Sequence, residues 1–145
     1  MKLYTIGFTQ KTAKQFFGLL EKNGVERLVD IRLYPGGQLA GFTKKEDLGY
    51  FLRKLINCDY RHLLQLAPTP ELLRTFRRDK NWQQYEPAFL SLMQQRGIPE
   101  KLDRSMFEEK TCCLLCSEAT ADHCHRRLVA ELLASKWDGV TVVHL

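Results

Sequence analysis

Residues 111–137 read Thr111-Cys-Cys-Leu-Leu-Cys116, then Ser117-Glu-Ala-Thr-Ala-Asp122, then His123-Cys-His-Arg-Arg-Leu-Val-Ala-Glu-Leu-Leu-Ala-Ser-Lys-Trp137. An apolar run of strand length passes through a short polar turn into a stretch whose Leu128, Val129, Leu132, Leu133 and Trp137 recur at helical spacing. Two periodicities joined this closely form a strand–helix unit, with Asp122 or Thr120 placed to cap the helix. The twelve positions from Cys116 to Arg127 hold a glutamate, two cysteines, two histidines and two arginines. Buried polar groups cost several kcal/mol unless partnered, so this density of them marks a place where something polar binds or reacts.

The same alternation runs outward along the chain. Lys2 to Phe8 has strand composition and ends at Gly7-Phe8-Thr9. From Thr12 to Asn23, Ala13, Phe16, Phe17, Leu19 and Leu20 share a helical face, Thr12 and Gln15 fit a capping box, and Gly24 supplies the stop. Arg27 to Leu33 is an apolar run with Asp30 and Arg32 entering only at its end, as in a central strand reaching the sheet edge. A segment with three glycines, 34–42, follows and is either a lid or binding loop or a plain connection. Thr43 and Glu46 offer a second capping box, Asp59 to Leu66 reads as a strand, and Thr69-Pro70-Glu71 opens another helix. Pro87 predicts a helix that starts or kinks there and ends at Gly97, and Val140 to His144 closes the chain as a strand. The fold class is therefore α/β: a single three-layer domain over 1–145, with a mainly parallel sheet of about five strands and helices on both faces.

Composition sets limits on function. A chain of 145 residues with 44% hydrophobic content suits one compact core; Met1 to Phe8 lacks the long apolar core expected of a secretory signal, and no run approaches membrane-spanning length. The expected setting is cytoplasmic, with no membrane partner and with the five cysteines, 58, 112, 113, 116 and 124, reduced rather than paired. The net charge of +5 favours an anionic partner, a small molecule or nucleotide. Nucleic acid is a weaker expectation: the basic run Arg74, Arg77, Arg78 and Lys80 beside Phe76 and Trp82 is read as a solvated helix face over two core-facing aromatics. No cofactor is expected, and the sequence leaves the oligomeric state open.

In open α/β sheets, ligands bind beyond the carboxyl ends of the strands, and the candidate residues fall there. Gly7 and Thr9 follow the first strand, Asp30 and Arg32 end the second, Glu118 follows the fourth, and Cys124, His125 and Arg126 occupy the first turn of the next helix. A thiol in such a turn is drawn toward the thiolate by the helix dipole and nearby cations, which makes Cys124 the candidate nucleophile. Asp30, Glu118 and His125 are the candidate proton-handling or orienting groups, while Arg32, Arg126, Thr9 and Gly7 are the candidate substrate-binding residues.

Four segments carry a family resemblance in order: Tyr4-Thr-Ile-Gly7, Leu28-Val-Asp-Ile-Arg32, Leu115-Cys-Ser-Glu118 and Cys124-His-Arg-Arg-Leu128. Together with Gln38-Leu-Ala-Gly-Phe42 and the terminal Val-Val-His-Leu, they resemble domain-of-unknown-function family 488, small bacterial and archaeal proteins with a Cys-Glu…Cys-His-Arg signature. The resemblance implies a compact α/β domain and a shared polar cluster, and brings no established activity. Relatives carry Gly-His-Ser where this chain has Gly7-Phe8-Thr9, leaving Thr9 as the polar group at that strand end.

Three functional readings follow. In the first, a thiol-dependent enzyme attacks a phosphorylated, nucleotidic or otherwise anionic substrate through Cys124. The longer cysteine-to-arginine loop of thiol phosphatases and sulfurtransferases is missing, since Arg126 follows Cys124 by two positions. In the second, the groups bind a nucleotide or nucleic-acid phosphate without covalent chemistry, with Asp30, Arg32 and Glu118 forming an ion-pair network that orients Arg126. In the third, Cys113 and Cys116 with His123, Cys124 and His125 form a structural zinc site. Alternate strand side chains point to opposite faces, so Cys113 and Cys116 are expected to diverge, and no metal is assigned. Cys58, Cys112 and Cys113 are expected as small buried hydrophobes.

Overall fold

The structure, a computed structural model, describes residues 1–145, with side chains at all positions except 38–40. The chain runs β1 (Lys2–Gly7), α1 (Ala13–Lys22), β2 (Arg27–Asp30), α2 (Lys45–Ile56), β3 (Asp59–His62), α3 (Pro70–Asp79), α4 (Trp82–Gln95), α5 (Arg104–Glu108), β4 (Cys112–Cys116), α6 (His125–Lys136) and β5 (Thr141–His144). The five strands form one sheet in the order β3-β2-β4-β1-β5, and every pairing is parallel. This is the three-layer α/β architecture expected from the alternation of elements.

Strands β2 and β4 are buried along their whole length, all four residues of β2 and all five of β4, as a strand covered on both faces requires. Alternate residues of β4 feed two separate cores. Cys112, Leu114 and Cys116 face α4 and α6, with Phe89, Met93, Leu128, Val129 and Leu133, while Cys113 and Leu115 face α1 and α2, with Phe16, Leu20, Leu48 and Leu52. Cys113 and Cys116 therefore point to opposite faces, as strand geometry predicts.

Several element ends are set by tertiary contacts rather than local sequence. Thr12 and Gln15 form the expected capping box on α1, and Thr69 caps α3 with Pro70 at its start. The second expected box does not form: Lys44 is the N-cap of α2, because the Thr43 hydroxyl and carbonyl instead accept from Arg32. Helix α4 begins five residues before Pro87, capped by Asn81. Pro87 is exposed, so the carbonyl of Gln83 that loses its helical donor there faces water, and the helix continues. Neither Asp122 nor Thr120 caps α6; its N-cap is Cys124. The strand expected over Asp59 to Leu66 stops at His62 and turns into a 3-10 helix over Leu64–Leu66. Strand β2 likewise ends at Asp30, leaving Arg32 beyond the sheet.

The glycine-rich segment after β2 is pinned near both ends, by Gly37 N–H donating to Tyr34 O and Lys45 N–H donating to Pro35 O, and Gly41 adopts a φ of +55° that favours glycine. Its Gln38, Leu39 and Ala40 side chains, part of the family resemblance, lie outside the described residues. No helix is long and apolar enough to cross a membrane among the described residues.

Candidate functional site

Strand β4 lies between β1 and β2, whose following helices cover the opposite face from α6. Such reversals open a crevice at the carboxyl end of the strand. Cys116 is the last residue of β4 and Cys124 immediately precedes α6, and the intervening turn brings the two sulfurs into a disulfide. The expectation that all five thiols are reduced is thereby corrected: the strand-to-helix turn returns its end to its beginning, a closure that spacing alone did not reveal. Cys58, Cys112 and Cys113 are free and buried, as expected. Burial pushes the Cys58 thiol up to about 12 and Cys112 to about 11, and raises Cys113 well above the ordinary value.

The disulfide forms the floor of a small cavity of about 80 Å3 whose wall includes Glu118, His123, Arg77 and Lys80. Arg77 and Lys80 come from the C-terminal end of α3, and both are exposed. They belong to the basic run read from sequence as a plain solvated face. The run is solvated, yet half of it also lines the sulfur cavity. A sequence signal existed in the density of arginines, but nothing local linked α3 to β4, because α3 follows the edge strand β3. A larger apolar cleft of about 330 Å3 between α3 and α4, lined by Leu72, Phe76 and Tyr85, lacks any cysteine or histidine.

Arg126 lies behind the sulfurs. Its guanidinium is almost fully buried, with Nε donating to Thr5 Oγ1, Nη1 donating to the backbone carbonyl of Glu118, and Nη1 4.0 Å from Cys116 Sγ. Among the described residues no carboxylate pairs with it within 4.0 Å. Burial lowers its proton affinity, partly offset by the charge of Glu118, although a guanidinium stays protonated in any protein. A buried cation beside a cysteine sulfur favours the thiolate once the disulfide is reduced.

His125, half-buried in the first turn of α6, has Nε2 2.8 Å from the carbonyl oxygen of Ile31. A carbonyl only accepts, so Nε2 carries the proton and Nδ1 the lone pair. Burial pulls its pKa down to about 4, the Ile31 bond opposing and Arg126 assisting, which keeps the ring neutral. His123 is exposed and stacks on Trp82 at 5.1 Å.

The remaining candidates divide. Glu118 reaches the cavity as an exposed side chain, while its carbonyl holds Arg126. Thr9 anchors the β1 end to the β4 turn, its Oγ1 donating to Ser117 O at 2.8 Å. Gly7 is there because a Cβ would stand 1.6 Å from Glu118 O. Asp30 and Arg32 are sealed in a network of their own. Arg32 Nε and Nη2 clamp the two carboxylate oxygens of Asp30 at 2.9 and 2.8 Å, Tyr60 donates to the same carboxylate at 2.6 Å, and Phe8 lies over the guanidinium. Burial and the Asp30 charge push the Tyr60 hydroxyl up, so it stays protonated and donating. The expected Asp30–Arg32–Glu118 network that would orient Arg126 is thus replaced by two separate ones: Asp30 with Arg32, and Arg126 with Thr5 and the Glu118 backbone. Neither Asp30 nor Arg32 lines the sulfur cavity.

Cys116, Cys124 and His125 are brought together with one potential ligand atom each within 4.8 Å of the others. Neither the curated proteins nor the solved structures contain a match to this chain. A family model matches residues 12–133, most of the chain, and on that ground the chain belongs to the family described as domain of unknown function DUF488.

Proposed function

We propose that this chain is a thiol-dependent enzyme acting on an anionic substrate, phosphorylated, nucleotidic or otherwise acidic, at the carboxyl end of β4. The observation that carries the reading is a pair of cysteine sulfurs at the floor of a cavity whose mouth holds Arg77 and Lys80. The cations draw an acidic ligand toward the sulfurs, and the two sulfurs can exchange a bond with it.

In the reduced form Cys124, at the N-terminus of α6, is the attacking thiolate. Against a substrate disulfide, Cys124 Sγ bonds to one substrate sulfur while the substrate S–S bond breaks and its electron pair leaves on the other sulfur. Cys116 gives up its proton to solvent beside the Arg126 guanidinium, attacks Cys124 Sγ, forms the Cys116–Cys124 bond and releases the second substrate thiolate. The substrate gains two electrons and the enzyme loses two, to be returned by a low-molecular-weight thiol. Asp30 and Arg32, in this mechanism, fix the β2 end that positions His125 rather than touching substrate.

The test is single turnover of the reduced chain against two chromogenic disulfides, the dianionic dithiobis(nitrobenzoate) and the neutral dipyridyl disulfide. The anionic probe reacts faster relative to a free thiol, the preference collapses in Lys80→Glu with Arg77→Glu, and Cys124→Ser abolishes release of the second thiolate. Equal rates for both probes in the native chain remove the acidic-substrate reading. Unchanged thiolate release in Cys124→Ser removes the thiol mechanism and leaves an anion-binding module.

A further inference from the structure

We propose that the reduced chain binds one zinc-class divalent ion through Cys116 Sγ, Cys124 Sγ and Nδ1 of His125, with the fourth coordination position open to the sulfur cavity. The three ligand-bearing groups already converge within 4.8 Å. Two of them come from the opposite ends of one short turn and the third from the next residue, so the set is held by β4, α6 and the disulfide-length approach between them.

The histidine is prepared for this role. Metal-bound imidazoles donate their other ring N–H to a backbone carbonyl or carboxylate, which fixes both tautomer and ring plane. The bond from His125 Nε2 to Ile31 O at 2.8 Å does this and leaves the Nδ1 lone pair for a metal. Ile31 O is itself fixed by the β2 end, where the Asp30–Arg32 pair is locked by Tyr60 and Thr43. The donor type selects the ion: two thiolates and an imidazole suit zinc and similar soft or borderline metals, and suit magnesium or calcium poorly.

Three protein ligands with an open position are the pattern of a reactive rather than a closed structural zinc site. The open position faces about 80 Å3 of space beside Glu118 and His123, enough for a water or one oxygen of a ligand. Two thiolates cancel the ion's charge, and of the charged groups around it Arg126, Arg77 and Lys80 outnumber Glu118, which favours an anion in the fourth position. The set leaves out Cys113, which lies on the other face of the sheet, as the strand alternation read from sequence predicts.

Metal and disulfide exclude each other. A dithiol such as dithiothreitol supplies two electrons and two protons to open the Cys116–Cys124 bond, itself becoming a disulfide. As the ion binds, the two thiols release two protons to solvent. This site stands whether or not the sulfurs turn over a substrate, and its readouts are stoichiometry and spectra rather than turnover.

The experiment reduces the chain, removes reductant without air and titrates zinc chloride against a chromophoric chelator, alongside a diamide-oxidised sample. The expected result is one zinc per reduced chain and none per oxidised chain. Cobalt in place of zinc gives the near-ultraviolet thiolate charge-transfer band and the visible bands of a tetrahedral ion. Losing even an outer-shell partner costs zinc sites roughly 10–100-fold in affinity, so Cys116→Ser, Cys124→Ser and His125→Gln each weaken binding at least about tenfold. Equal zinc uptake by reduced and oxidised chains overturns the proposal, as does a cobalt spectrum without the thiolate band or undiminished binding in Cys116→Ser. If a variant folds poorly, the comparison of the two oxidation states of the native chain still decides.

Discussion

Five cysteines in one chain meet two fates, and the difference is environmental. Cys58, Cys112 and Cys113 sit in the cores, where burial raises their pKa values by more than the nearby cations lower them, Arg27 at Cys112 and Arg126 at Cys113 among these, and keeps them as unreactive thiols. Cys116 and Cys124 are as deeply set, but Arg126 and the start of α6 lie against them and they face a cavity. After mild reduction, brief alkylation of the native chain at neutral pH therefore labels Cys116 and Cys124 and spares the other three. Peptide mass analysis checks this, and equal labelling of Cys58 or Cys113 would show that the electrostatic contrast is wrong. The inert role of these three cysteines was legible in the sequence because an unpaired cysteine is most often a small buried hydrophobe, and Cys112 and Cys113 stand in an apolar strand. The pairing of the other two was not, since a nine-residue span from strand to helix can close or stay open depending on what fills the space behind it. Here Arg126 fills that space, and an arginine in the first turn of a helix is ordinarily expected at the surface.

At the scale of elements, the site depends on how closely the β1 end approaches the turn between β4 and α6. Gly7 pairs with Cys116 in the sheet register, and its missing side chain admits the Glu118 carbonyl that in turn holds Arg126. A methyl at position 7 meets that carbonyl carbon at 2.6 Å and Arg126 Nη1 at 2.7 Å, so backbone must move. Gly7→Ala is expected to destabilise the chain by about 1–3 kcal/mol, the usual cost of overpacking, read as a lower urea midpoint at unchanged slope. An unaltered midpoint would mean the turn yields freely and does not fix the sulfurs. The helices were readable where a cap and an apolar stripe agree, as at Thr12 and Thr69. Their ends were not readable where a long-range partner takes the capping group, as Arg32 takes Thr43. Strands β2 and β3 came out shorter than their apolar patterns because pairing, not composition, ends a strand: Leu63 N–H still bonds Asp30 O, but the ladder stops there.

For the whole molecule, the question is what ties the edge of the sheet to the rest. Strand β3 is an edge strand, and its first residue, Asp59, accepts from Arg27 Nε of β2 at 2.9 Å and from Arg61 at 3.2 Å, with Lys110 4.0 Å away. Arg27 in turn donates through Nη1 to Met106 O of α5, so one carboxylate links two strands and a helix. Burial alone would raise the Asp59 pKa, but the Arg27 hydrogen bond and the Arg61 charge outweigh it and the folded value lies below the ordinary one. The sign follows from proton linkage: the folded state holds the carboxylate ionised at pH values where the unfolded chain takes up a proton. The pair therefore contributes its full stability above the unfolded aspartate value of about 4, and loses it as pH falls through the lower folded value. Asp59→Asn keeps the shape and removes the charge, so at neutral pH it should unfold more easily than the native chain by about 1 kcal/mol. As pH falls below the aspartate range the two stability curves should converge, because the native carboxylate is by then protonated too. A constant gap between the curves across the acid limb, followed by urea unfolding at successive pH values, would assign the loss to altered packing at β3 instead of to the charge that joins it to Arg27.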